Sequence, residues 1–147
     1  MSTNTRTVEA TPEQVWEVLA DGWLYALFVV GASRMREVDD TWPEVGAQLH
    51  HSAGSWPLLL DDTTEVLECD PGVRLVLQAR GRPLGSARVT IGLHPCGPLG
   101  VRTKLELQER AVSGPGALVP AFLQDPPLTW RNAETLRRLA YVVENRP

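Results

Sequence analysis

The apolar residues of the stretch Thr129 to Asn145 recur at steps of three and four: Trp130, Ala133, Leu136, Leu139, Ala140 and Val143. At 3.6 residues per turn they form one stripe of an amphipathic helix. Arg131, Glu134, Arg137, Arg138 and Glu144 occupy the remaining positions, with Glu134 one turn ahead of Arg138, the favourable order for an exposed ion pair. Pro126 and Pro127 end whatever precedes, and Thr129 supplies a cap, so the helix is predicted to begin at Thr129. A stripe of this length needs a cover.

Upstream, from about Ser33 to Val112, the period changes to two. Ser33–Val38, Gly46–Ser52 and Leu58–Cys69 read as strands. Val73, Leu75, Leu77 and Ala79 then alternate with Arg74, Gln78 and Arg80. Asp70-Pro71-Gly72 and the stretch from Gly81 to Gly85 supply turns. Ala87, Val89, Ile91 and Leu93 oppose Arg88 and Thr90, and Val101, Thr103, Leu105 and Leu107 oppose Arg102, Lys104, Glu106 and Gln108. Strands with one dry and one wet face predict an antiparallel meander covered on one side. Before it come a short strand (Thr5–Ala10) and a helix over Pro12–Ala20, with Thr11, Pro12 and Gln14 forming a capping box. The apolar run Trp23 to Val30 reads as a short helix followed by extended chain, with Asp21 placed to cap it. Ser113 to Gln124, rich in Gly and Pro, reads as a loop or broken helix lying on apolar surface. The class is α+β, with about seven strands wrapped around the terminal helix.

Composition narrows the function classes. The 147 residues (1–147) fit a single domain with a core large enough to need no staple. A net charge of -4, with no basic run beyond Arg137-Arg138, argues against nucleic acid as a partner. No apolar run is long enough to span a membrane, and Met1–Ala10 is too polar for a secretory signal, which points to the cytoplasm. Cys69 and Cys96 share no metal-binding spacing and read as reduced structural thiols; no metal or cofactor is expected.

The order of strand, two short helices, six strands and a long terminal helix resembles the helix-grip fold of the START-like, birch-pollen-allergen-like (SRPBCC) superfamily. Within it the chain is similar to the polyketide cyclase/dehydratase branch. The residues carrying the resemblance are the opening Thr11-Pro12-Glu13-Gln14-Val15-Trp16, the Trp42, Pro43, Gly46 turn, and Asp62, Thr64, Glu65, Val66. Arg131, Asn132, Glu134, Thr135, Leu136, Arg138 and Leu139 of the last helix complete it. The resemblance covers nearly the whole chain, and it implies a hydrophobic cavity between sheet and helix. Its walls would be Tyr25, Val29, Trp42, Leu49, Trp56, Leu58, Leu105, Phe122, Trp130 and Ala133. The implied functions are binding of a small hydrophobic or aromatic molecule, or polyketide cyclase/dehydratase chemistry in the same cavity, by a monomer or a homodimer. Such enzymes act mainly by holding a flexible substrate in one reactive shape, so few catalytic residues are required.

Chemistry-bearing side chains on the dry face are few. Adjacent strand residues point to opposite faces, so of His50 and His51 only one reaches the interior, and they form no metal clamp. If Leu49 faces inward, His51 does too; Asp62 has the parity of Leu58, Leu60, Thr64 and Val66 on the next strand. A His51–Asp62 pair reads as either a catalytic acid/base couple or a structural hydrogen bond closing the hairpin near Gly54. In the first reading the carboxylate is expected to raise the histidine pKa and fix its tautomer. An inward arginine among Arg34, Arg36, Arg74 and Arg110 would bind an enolate or carboxylate. His94-Pro95-Cys96 is too short a cluster for zinc, and Gly97 to Gly100 lacks the lysine of a phosphate loop.

Overall fold

The computed structural model describes residues 2–29, 32–53, 60–81 and 85–146. Strand β1 (Ser2–Val8) leads into α1 (Pro12–Leu19), a 3-10 turn (Gly22–Leu24) and α2 (Tyr25–Phe28). Six further strands follow: β2 (Ala32–Val38), β3 (Gln48–Ala53), β4 (Leu60–Asp70), β5 (Arg74–Gly81), β6 (Gly85–Cys96) and β7 (Arg102–Ser113). A short 3-10 helix (Pro115–Leu118) precedes the long α3 (Ala121–Glu144). All pairings are antiparallel, in the order β1-β7-β6-β5-β4-β3-β2, so β1 crosses over to close the far edge against β7. This is the helix-grip arrangement: α3 lies across the inner face of one curved sheet.

Local sequence sets the helix boundaries. The Thr11 hydroxyl accepts from the Gln14 backbone N–H at 3.2 Å while the Gln14 side chain accepts from the Thr11 N–H at 2.9 Å, satisfying two donors that a helix start leaves unpaired. Asp21 accepts from the Trp23 N–H at 3.2 Å and starts the next turn. Gly22 lies against Leu49 and Val38, where a Cβ would fall 2.6 Å and 2.7 Å from their methyl carbons.

The register assigns the inner face. Leu49 pairs with Thr64, Val66 with Leu77, Leu77 with Val89, and Ile91 with Leu107, placing these side chains together under α3 and α1. Leu49, Leu75, Leu105, Leu136, Leu139, Val8, Val15, Val18 and Val66 are the most completely buried apolar residues. Each such side chain withdrawn from water contributes about 1.5–3 kcal/mol. Leu75, Leu77, Ile91, Leu93, Leu105 and Leu107 are buried as the alternation predicts, but Val76 between Leu75 and Leu77 is buried too, and Val73 and Val101 lie in the connections before their strands and are exposed.

The terminal helix differs from the sequence reading at its start and in its facing. It begins at Ala121, eight residues before Thr129, with Pro126 and Pro127 inside it. The carbonyls of Phe122 and Leu123, which lose their helical donors to the two prolines, belong to exposed residues, where water replaces the missing bonds. The buried stripe is Asn132, Thr135, Leu136, Leu139, Ala140 and Val143. Trp130 is 71% exposed and Ala133 is also exposed. Six residues separate Trp130 from Leu136, about one and two-thirds turns, which rotates the indole about 120° off the stripe. Leu136, Leu139, Ala140 and Val143 therefore face inward as the periodicity predicts, whereas Trp130 and Ala133 face outward, against it. Among the described residues no helix is long and apolar enough to cross a membrane.

Candidate functional site

At the end of the sheet where β3 gives way to β4, the inner face turns polar. His51 and Asp62 are direct neighbours across the β3–β4 ladder and are 6% and 3% exposed. Their parity brings both inward, as predicted, while His50 points away and meets Asp39 at 3.2 Å.

The histidine's hydrogen bond goes elsewhere than expected. Its Nε2 lies 2.9 Å from Thr64 Oγ1, one step along β4 on the same face. Thr64 Oγ1 is in turn 3.5 Å from the Tyr25 hydroxyl, a long contact. The Tyr25 ring stacks beside the imidazole, with centroids 5.8 Å apart and planes inclined by 28°. Tyr25, Thr64 and His51 thus form one buried polar chain linking α2 to the sheet. His51 Nδ1 has no hydrogen-bond partner among the described residues.

Burial governs the proton affinities here. It pushes the His51 imidazole below its ordinary pKa; the Asp62 charge opposes that shift, and Arg36 and His50 add to it. The expected upward shift from the carboxylate is overridden, because a desolvated imidazolium is penalised more than Asp62 compensates. His51 is therefore neutral at pH 7. Burial also raises the Tyr25 phenol, with Thr64 and Arg131 opposing and Glu109 adding, so Tyr25 keeps its proton. The Arg36 guanidinium donates to the backbone carbonyls of His51 at 3.4 Å and Asp62 at 3.2 Å, bracing the two strands.

A second polar group faces the same interior from the helix. Glu109 on β7 is buried and receives the Arg131 guanidinium of α3; both charges are felt at the Tyr25 hydroxyl. Asn132 and Thr135 are buried on the adjoining helix face, and Asn132 Nδ2 has no partner among the described residues.

The residues predicted to line a cavity divide into three groups. Tyr25, Leu49 and Leu105 are buried, and Val29 and Trp42 are half-buried against the core. The Trp42 indole N–H donates to the Leu19 carbonyl at 3.0 Å, which ties it to α1. Phe122 (75% exposed), Trp130 and Ala133 face away, a correction that follows from the rotation of α3. Trp56 and Leu58 lie outside the described residues. Of the four arginines, Arg74 pairs with Glu68 on an exposed face, Arg110 is exposed, Arg36 braces backbone, and the Arg34 side chain is outside those described.

Thr64, Glu109 and Asn132 had readable signals. Thr64 shares the parity of Asp62 and Val66, Glu109 continues that of Leu105 and Leu107, and Asn132 is one turn before Leu136. Their meeting required the crossover of β1 and the lie of α3. No group of three or more His, Cys, Asp or Glu suited to a metal occurs among the described residues.

Solved structures share the fold. A conserved protein from Geobacillus kaustophilus is 15% identical, with a TM-score of 0.71 over 97% of this chain and 93% of its own. Ara h 8.0201 is 11% identical, with a TM-score of 0.69 over 98% and 97% of the two chains. DynU16, a protein of the dynemicin biosynthetic locus, is 20% identical, with a TM-score of 0.65 over 98% of this chain and 47% of its own. No curated protein matches the sequence. Residues 2–144 match the family described as polyketide cyclase / dehydrase and lipid transport, so nearly the whole chain is accounted for, and the protein belongs to that family.

Proposed function

We propose that this protein binds a small, mostly apolar molecule between the inner face of the sheet and α3, with the Tyr25–Thr64–His51 chain orienting its polar end. The observation that carries this reading is the burial of that chain, with one imidazole nitrogen unpartnered among the described residues, on a face lined mostly by aliphatic side chains. Apolar sites with a few placed polar groups are the usual form of small-molecule pockets. Strand ends Ala53, Leu60, Gly81, Gly85 and Ser113 gather at this end of the sheet, which is where a ligand would pass. Native mass spectrometry against a library of aromatic and lipid-like molecules tests the proposal. Stoichiometric adducts that weaken in Thr64→Val support it; no adduct and no thermal shift overturn it.

A second reading is cyclase/dehydratase-type acid/base catalysis by His51, with Asp62 beside it. It is favoured by the neutral imidazole, since a general base must be unprotonated at working pH. Nδ1 would then take the proton from the substrate, with the Nε2–H donating to Thr64 Oγ1 to hold that tautomer, and the imidazolium would return the proton to the departing hydroxyl as water leaves. Product mass separates the readings: a bound β-hydroxy ketone that loses water on the wild type but not on His51→Gln supports catalysis, and return of unchanged ligand supports carriage.

A further inference from the structure

The outer face of the sheet, turned away from α3, carries a second polar corner built from β5, β6 and β7. Gln78 and Arg80 alternate with the inward Leu77, and across the ladder Gln78 faces Arg88 while Arg80 faces Ser86. By alternation Ser113 would follow Leu107 and Glu109 to the inner face. A bulge between the pairs Ala87–Ala111 and Ser86–Ser113 leaves Val112 over and re-aims Ser113, whose hydroxyl bonds to that of the buried Ser86. Gly85, at a φ of 109°, closes the corner: a Cβ there would fall 2.0 Å from the Ser113 carbonyl oxygen, so only glycine lets the two strands meet. Among the described residues Gln78, Arg80, Gly85, Ser86 and Ser113 line one open recess of about 340 Å³.

This recess offers donors that nothing described takes up. Two hydroxyls bonded to each other use one proton between them, so whichever donates, the proton of the other is uncommitted among the described residues. The Gln78 amide nitrogen stands 3.5 Å from Ser86 Oγ, a long contact that leaves at least one of its two hydrogens for another acceptor. The Arg80 guanidinium has neither a hydrogen bond nor an ion pair among the described residues.

Charge adds to this. Arg88 and Arg110 stand directly opposite each other on β6 and β7, two residues along β6 from Ser86, and line a second, smaller recess. Like charges in that position destabilise a sheet, and neither guanidinium is paired among the described residues. Of the carboxylates nearby, Glu65 faces Gln78 from β4, and Glu109 is held by Arg131. The corner is therefore positive in a chain whose net charge is -4. An arginine fork, a hydroxyl and an amide that reach one space from three strands suit an anion with three acceptor oxygens and up to two charges, which a phosphate group supplies and a planar carboxylate does not.

We infer that this corner binds a small phosphate-bearing anion, received by Arg80, Gln78 and the Ser86–Ser113 pair and drawn in by Arg88 and Arg110. Proton–nitrogen correlation NMR at neutral pH and constant ionic strength tests it with inorganic phosphate, glycerol phosphate and acetate. Both phosphates should give saturable shifts centred on Gln78, Gly85, Ser86 and Ser113, with acetate at least about fivefold weaker. Tighter binding of glycerol phosphate than of inorganic phosphate supports an ester as the occupant; equal or weaker binding supports the free ion. Arg80→Gln should raise the Kd for phosphate about tenfold and Ser113→Ala about threefold, the scales of a charged and a neutral hydrogen bond. Lys104→Gln removes the same charge from the far end of β7 and should change Kd less than about twofold. Shifts that fail to saturate, acetate binding as tightly as phosphate, or equal losses in Arg80→Gln and Lys104→Gln overturn the inference. It stands or falls apart from the apolar site, which lies on the other face of the sheet.

Discussion

The imidazole of His51 bonds to Thr64, not to Asp62, although Asp62 is its direct partner across the β3–β4 ladder. Thr64 stands diagonally, two residues along β4, and offers a hydroxyl that both accepts and donates. The histidine therefore gains a neutral partner and remains neutral in a desolvated position. The remaining consequences concern stability, and each has a direct measurement.

Stability should fall on acidification through His51. Its folded pKa lies below the unfolded value of about 6.5, so above that pH both states are neutral and the contribution is complete. As pH drops below 6.5 the unfolded chain binds the proton first, and the contribution shrinks until the folded histidine titrates too. Urea melts of the wild type and His51→Gln at pH 7.5 and pH 5.5 isolate this, because the other titrating groups are shared. The wild type should lose more stability than the variant; an equal loss would sink the assignment.

Thr64→Val keeps the shape of the side chain and removes the hydroxyl on which His51 and Tyr25 converge. It strands a buried ring nitrogen and should destabilise by about 1–3 kcal/mol. Tyr25→Phe breaks only the long 3.5 Å contact and should cost less than Thr64→Val. Chemical denaturation of the two variants side by side gives the order; a costlier Tyr25→Phe contradicts the chain as described.

Gly22→Ala tests how tightly the first helices seat on the sheet. A methyl there would fall 2.6 Å from a Leu49 methyl carbon and 2.7 Å from one of Val38, so these side chains must repack or the turn must move back from β2 and β3. Overpacking of this kind costs about 1–3 kcal/mol, and the melting temperature should drop accordingly. An unchanged melting temperature would mean that the approach is looser than described.

The facing of α3 separates the effects of two truncations to alanine. Trp130→Ala removes an exposed indole and should change stability by no more than about 0.5 kcal/mol. Leu136→Ala empties a position that is 1% exposed and should cost about 2–5 kcal/mol. Comparable losses from both would restore Trp130 to the inward stripe.

Much of this architecture is written in local patterns. Period-two alternation marks β5, β6 and β7 and their dry face because a pleated strand turns successive side chains to opposite sides. The capping box at Thr11 and Gln14 and the Asp21 cap are satisfied within a few residues, so neighbours in sequence sufficed to place them. The inward parity of His51 and Asp62 belongs to the same class of information. What the sequence alone could not decide was rotation, partner and proton affinity. Which face of α3 turns inward, leaving Trp130 outside and Asn132 within, depends on how the helix docks along β1, where Asn4 donates to the Thr129 carbonyl at 3.1 Å. The preference of His51 for Thr64 and the lowering of its pKa depend on distances and burial set by four elements at once. Periodicity reports which face a residue occupies; only the packed chain determines what stands opposite it and how much water is left between them.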